Sequence, residues 1–231
     1  MLHSGGSGTS ALTVATQPTQ KSSPLGIDGS WACGNGNVNY CKVVATTSHP
    51  SDIIIVAEAT QSGHVASVPT DTAGLSWTSL KDYSTGQVDL HLYYAKAAGA
   101  LSSDTITCNF NPNARSSCVA FGISGASQTT VFDSNSALPC SATGTSTTSS
   151  CNISTTNADD IIIGFVAAGC NIPVTAGSGF TIIHTETFCG PSVGAEYKIV
   201  SSTQSSQPVA FSLAASSQAW VTIGDAIRQG P

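Results

Sequence analysis

The sequence predicts an all-β protein, and three observations carry that prediction. Short runs rich in Val, Ile, Thr and aromatic residues recur every 8–15 residues along most of the chain. No stretch shows the 3.6-residue periodicity of a long amphipathic helix. The eight cysteines are even in number and locally clustered, as in a chain tied by disulfides.

The strand signals fall into two series. The first comprises Tyr40–Thr46, Asp52–Thr60, Ser76–Tyr83, Gln87–Lys96, Asp104–Phe110 and Cys118–Ser124. The second comprises Asp160–Ala168, Phe180–Thr187, Gly194–Val200, Pro208–Ala214 and Ala219–Arg228. In Gln87–Lys96 the alternation is clean: Val88, Leu90, Leu92 and Tyr94 share one face, and Asp89, His91 and Tyr93 the other. The series also resemble each other. Asp52-Ile-Ile-Ile recurs as Asp160-Ile-Ile-Ile, and Trp77-Thr-Ser-Leu corresponds to Phe180-Thr-Ile-Ile. Tyr94 matches Tyr197, Phe110 matches Leu213, and Phe121-Gly122 matches Ile223-Gly224.

The expected fold is therefore a disulfide-stapled β-sandwich, jelly-roll or Ig-like, built from two related halves of about 45–125 and 155–228. Each half is expected to contribute strands to both sheets. Residues 1–30 read as an N-terminal arm containing a strand-like Ala11-Leu-Thr-Val-Ala-Thr, and 31–231 as one domain. Residues 126–158 read as a crossover loop, because Ser141–Ser150 (SATGTSTTSS) is almost entirely hydroxyl-bearing.

Nearest-neighbour pairing of the cysteines gives Cys33–Cys41, Cys108–Cys118, Cys140–Cys151 and Cys170–Cys189, each bracketing turn-like sequence. No two cysteines are separated by only two residues, which speaks against a zinc knuckle or a thioredoxin-type site. Neither metal nor cofactor is expected. Disulfides place the chain in an oxidising setting, outside the cell or at its surface. The start, Met1-Leu-His-Ser-Gly-Gly, has neither the basic nor the apolar segment of a signal peptide.

Only 9% of residues are charged, with 7 Lys+Arg against 13 Asp+Glu. Scaling gives roughly 490 Å² of surface per charge, about a third of the usual density. Seven scattered basic residues make no stripe for a phosphate backbone, so no nucleic-acid partner is expected. The longest apolar run, Ile161–Cys170, is too short to span a bilayer. The poorly charged surface is expected to be covered by hydroxyls, by attached sugar or by neighbouring protein.

Asp52-Ile-Ile-Ile, the Gly74-x-x-Trp77 turn and Tyr93-Tyr94-Ala95 resemble β-sandwich modules common in secreted and cell-surface proteins of bacteria and archaea. The resemblance extends over roughly 45–228. It implies a fold and an extracellular setting, and it carries no catalytic residue. The chain also looks like subunits of extracellular filaments, in which a terminal strand of one subunit completes a sheet of the next.

Several constellations were weighed for chemistry. No G-x-S-x-G elbow marks a serine nucleophile. Glu58, Glu186 and Glu196 could supply the carboxylates of a jelly-roll glycoside hydrolase. Asp89-x-His91 and His184-x-Glu186 have the spacing of same-face metal ligands, and Asp71 or Asp159-Asp160 could meet Ca²⁺. Trp31 and Tyr40, flanking the first cysteine pair, could form an exposed sugar platform, whereas Trp77 and Trp220 belong to core patterns. Asn152-Ile-Ser is a glycosylation sequon. The expected function is a non-enzymatic structural subunit of a surface filament, its partners being copies of itself and, as a second class, surface glycans. Leu12 and Val14 of the arm would be the subunit contacts. A lectin-like module and a glycoside hydrolase are the alternatives.

Overall fold

The computed structural model describes Met1 and residues 24–61, 63–188, 190–214 and 218–231. The described residues are all-β. Fourteen strands run in order: β1 (Gly26–Ala45), β2 (Ile53–Gln61), β3 (Val65–Thr70), β4 (Thr78–Ser84), β5 (Val88–Lys96), β6 (Asp104–Ser124) and β7 (Cys140–Gly144). They continue with β8 (Thr148–Ile153), β9 (Asp159–Ala168), β10 (Val174–Ala176), β11 (Thr181–Glu186), β12 (Ser192–Ser201), β13 (Gln207–Leu213) and β14 (Trp220–Arg228).

Two long strands shape the first half. β1 and β6 pair antiparallel over almost their full lengths, but neither is straight. Cys33 and Cys41 have Cα atoms only 5.9 Å apart, whereas an extended strand would separate them by about 26 Å. Cys108 and Cys118 are likewise 6.6 Å apart. The β1/β6 ribbon therefore folds back on itself at bulges between Gly36 and Tyr40. Its one arm joins β2, β5 and β4 in the order β1-β6-β2-β5-β4, and its other arm pairs with β3.

The second half repeats this plan. Its larger sheet has the order β11-β12-β9-β14-β7, and a smaller sheet has β10-β13-β8. Read from its other edge, the larger sheet matches the first half strand for strand. Ile55 lies opposite Tyr94, and Ile163 opposite Tyr197. Thr78 pairs with Tyr94, and Thr181 with Tyr197. Each edge strand then carries a register shift at the equivalent place, Ser79/Lys81 and Ile182/His184. Ala66↔Phe110 is matched by Val174↔Leu213. One sequence correspondence moves: Ile55 faces Phe121 while Ile163 faces Asp225, so Phe121 aligns two residues beyond Ile223.

The molecule thus has four layers. The two large sheets face each other across the central core of Ile53, Ile55, Phe121, Ile161, Ile163, Phe165 and Ile223. Phe121 and Phe165 stack there with ring centroids 6.0 Å apart. Each large sheet is covered on its other face by an outer layer of its own half: the folded-back arm of β1 and β6 with β3 in the first, the smaller sheet in the second, so that Ile54, Val56, Ile106 and Phe110 pack on one side and Val166, Val209, Phe211 and Leu213 on the other. β2 and β9 read as unbroken apolar runs because both their faces are buried.

Three expectations are corrected. Each sheet is built from one half alone, so the halves do not interleave. The tract 141–150 is not a loop. It forms most of β7 and β8, because its small side chains alternate, with Ser149, Cys151 and Ile153 turned inward. The arm is also shorter than 1–30, since Leu25 is buried in the central core and β1 begins at Gly26. Leu12, Val14 and the rest of Ala11–Thr16 lie outside the described residues.

Candidate functional site

Three disulfides join the expected partners, Cys33–Cys41, Cys108–Cys118 and Cys140–Cys151. Cys170 is disulfide-bonded as well, and Cys189 lies outside the described residues. The first two bridges are neighbours. Cys33 is the cross-strand partner of Cys118, and Cys41 that of Cys108. All four Sγ atoms consequently lie within 4.8 Å of one another, three of the residues being buried. Cys140–Cys151 ties β7 to β8 in the other half, where it staples the turn equivalent to the fold-back of β1.

The carboxylates weighed for catalysis occupy separate interiors. Glu58 is fully buried between β2 and the outer arm of the ribbon, neither carboxyl oxygen has a hydrogen-bond partner among the described residues, and burial raises its pKa well above the ordinary value. Glu196 is buried between the two sheets of the second half and accepts a 2.7 Å hydrogen bond from the Gly177 amide. Burial pushes its pKa up to about 7. Gly164 makes room for it: a Cβ there would lie 2.4 Å from Val209 and 3.0 Å from Glu196 Cγ. Glu186 is elsewhere, accepting from the Phe188 amide at 3.0 Å.

A pair of aspartates recurs in both halves. Asp52 and Asp160, the first residues of the repeated Asp-Ile-Ile-Ile, are wholly buried. Asp52 adjoins Asp28, which accepts from the Ser48 and His49 amides at 2.7 and 2.8 Å and from His49 Nδ1 at 2.9 Å. Burial, with hydrogen bonding to Asp28 and repulsion from its charge, lifts Asp52 to about 7. Burial also acts upward on Asp28, but the hydrogen bonds from His49 and Ser48 outweigh it and hold Asp28 below its usual range. In the second half Asp133 accepts from the amides of Asn135, Thr156 and Asn157 at 2.8, 2.9 and 2.7 Å. Burial and the nearby Asp133 raise Asp160 to about 6. Asp225, also buried, is pushed to about 7. The Asp52 pair holds a proton up to about pH 7 and the Asp160 pair up to about pH 6, and each fixes the loop leading into a central strand.

The same-face ligand pairs do not converge. His91 Nδ1 lies 3.1 Å from Asp82 across β4 and β5, while Asp89 bonds Ser84. His184 contacts Ser30 Oγ at 3.2 Å, away from the Phe188 amide held by Glu186. Asp71 is used up locally: Oδ1 accepts from Gly74 and Leu75 amides at 2.6 and 2.9 Å, and Oδ2 from Trp77 Nε1 at 2.8 Å. This builds the Gly-x-x-Trp turn, with Gly74 at φ +78°. Among the described residues, the four clustered cysteines are the one group of three or more potential metal ligands.

No family model, curated protein or solved structure matches the chain. The surface itself is the remaining guide. Trp31 does not form an open platform: it packs against the buried core of the first half, beneath Gly29. Tyr40 is 46% exposed, with the Lys42 ammonium 5.0 Å from its ring centroid. Trp220 is buried in the core of the second half, and Trp77 is partly buried against that of the first. Asn152 is exposed on the edge strand β8.

The two outer layers share a character that sequence reasoning missed. The outward face of the first carries Tyr40, Lys42, Val44, Val65, Thr107 and Asn109, with a single charge among them. Val44 and Val65 are more than half exposed. The outward face of the second presents Thr148, Ser150, Asn152, Pro208, Ala210 and Ser212, with none. An open depression of about 600 Å³ lies beside the start of β4, an edge strand, with Leu75, Ser76, Thr78, Tyr94, Ala97 and Leu101 in its walls.

Proposed function

We propose that the protein is a non-enzymatic extracellular structural protein, a subunit of a surface filament or pilus-like assembly joined by strand addition from its N-terminal arm. The observation that carries this reading is the pair of nearly uncharged outer faces on a disulfide-tied slab. Such faces can pack against neighbours without stranding charge. The arm would leave its own domain and pair with an edge strand of the next subunit, with backbone hydrogen bonds supplying attachment. The edge strand β4 and the depression beside it would be the receptor, and Leu12 and Val14 of the arm would be the subunit contacts. A head-to-tail contact of this kind is heterologous and generates an open fibre.

Negative-stain microscopy of the full chain should show fibres. Removing residues 1–23, which spares the buried Leu25, should leave folded monomers. Ser76→Arg, at an exposed position of the depression, should also block assembly while leaving the circular dichroism spectrum unchanged. Fibres formed by the truncated chain would rule out the strand-addition mechanism. A carbohydrate-binding role would rest on Tyr40, and retention on immobilised glycans that is lost in Tyr40→Ala would favour it instead.

A further inference from the structure

We propose that Cys33, Cys41, Cys108 and Cys118 form a thiolate site for one Zn²⁺ in the reduced chain, and that oxidation to the two disulfides releases the ion. The geometry comes from the folded-back ribbon, not from a local motif. Cross-strand pairing sets Cys33 beside Cys118 and Cys41 beside Cys108, and the fold-back sets Cys33 beside Cys41 and Cys108 beside Cys118. Each sulfur thus has two neighbours fixed by different contacts, and all four ligand atoms fall within 4.8 Å. Tetrahedral zinc with bonds of about 2.3 Å needs sulfur–sulfur edges of roughly 3.8 Å. Reduction opens the two bonded edges toward that length without moving the strands apart.

The surroundings suit such a centre. Cys41, Cys108 and Cys118 are 6%, 0% and 0% exposed, so zinc would be shielded from water and from competing ligands. The exchange is balanced: the zinc tetrathiolate and two molecules of a small disulfide give two protein disulfides, one Zn²⁺ and four small thiolates. The four electrons pass from the protein sulfurs to the small disulfides.

The test uses the full chain, refolded under a phosphine reductant with Zn²⁺ present and then freed of excess metal. One zinc per chain should remain, and Co²⁺ in its place should give the intense visible bands of a tetrahedral thiolate site. Adding a small-molecule disulfide should release the zinc as the four thiols disappear. Cys41→Ser with Cys118→Ser should abolish binding, whereas Cys140→Ser with Cys151→Ser should retain it. Absence of bound zinc under these conditions would overturn the proposal, whether or not the reduced chain folds. So would binding that survives in the Cys41→Ser, Cys118→Ser chain.

Discussion

Gly164 has no space for even a methyl group, since Val209 and Glu196 close over it from the neighbouring strands. Gly164→Ala should therefore destabilise by about 1–3 kcal/mol through overpacking, measurable as a lowered denaturation midpoint. The buried carboxyls act differently. Asp52, Asp160, Glu196 and Asp225 hold protons in the folded state to about 7, 6, 7 and 7, whereas in the unfolded chain they release them near pH 4. Between these values the folded state binds more protons, so stability falls as pH rises from about 4 to 7. Asp28 and Asp133, held below their usual range, give the opposite slope and lose their contribution in stronger acid. The thermal midpoint should therefore be highest near about pH 4–5. Asp225→Asn should flatten the fall above it, raising the midpoint at pH 8 by about 2–4 °C.

At the scale of elements, the disulfides act on turns. Cys140–Cys151 encloses a separation of 11 residues, for which chain entropy gives about 2–3 kcal/mol. Replacing both by Ser should lower stability by up to that amount, read from chemical denaturation. Much of this level was legible in the sequence. β2 and β9 are legible as apolar runs and β5 as clean alternation, and the matched Asp-Ile-Ile-Ile segments located the two central strands. β7 and β8 did not stand out, because their inward positions are filled partly by buried hydroxyls such as Ser149. The continuity of β1 and β6 was obscured by Gly34–Asn39 and Asn111-Pro112-Asn113, which look like loops but pass through the fold-back. The burial of Glu58 and the meeting of four sulfurs depend on register between distant strands, and no local pattern encodes them.

At the scale of the whole molecule, the two halves meet across the central core, with contacts such as Ser30 Oγ donating to the Ile183 carbonyl at its rim. Pulling on the chain ends of the oxidised protein should leave the segments closed by the disulfides unextended. These separations are 8, 10 and 11 residues, so reduction should lengthen the fully extended chain by at least roughly 80 Å. Single-molecule force spectroscopy with and without reductant would measure the difference.

None of the three described bridges crosses the plane between the two large sheets: each closes within one half. Covalent reinforcement therefore lies toward the outside, while the middle is held by contacts that can separate and re-form. Under tension a fibre of such units would give way first along its mid-plane, with hydrogen bonds such as that of Ser30 to Ile183 broken but no covalent bond. The same plane could close again once the load is removed, so the arrangement favours recoverable stretching over rigidity.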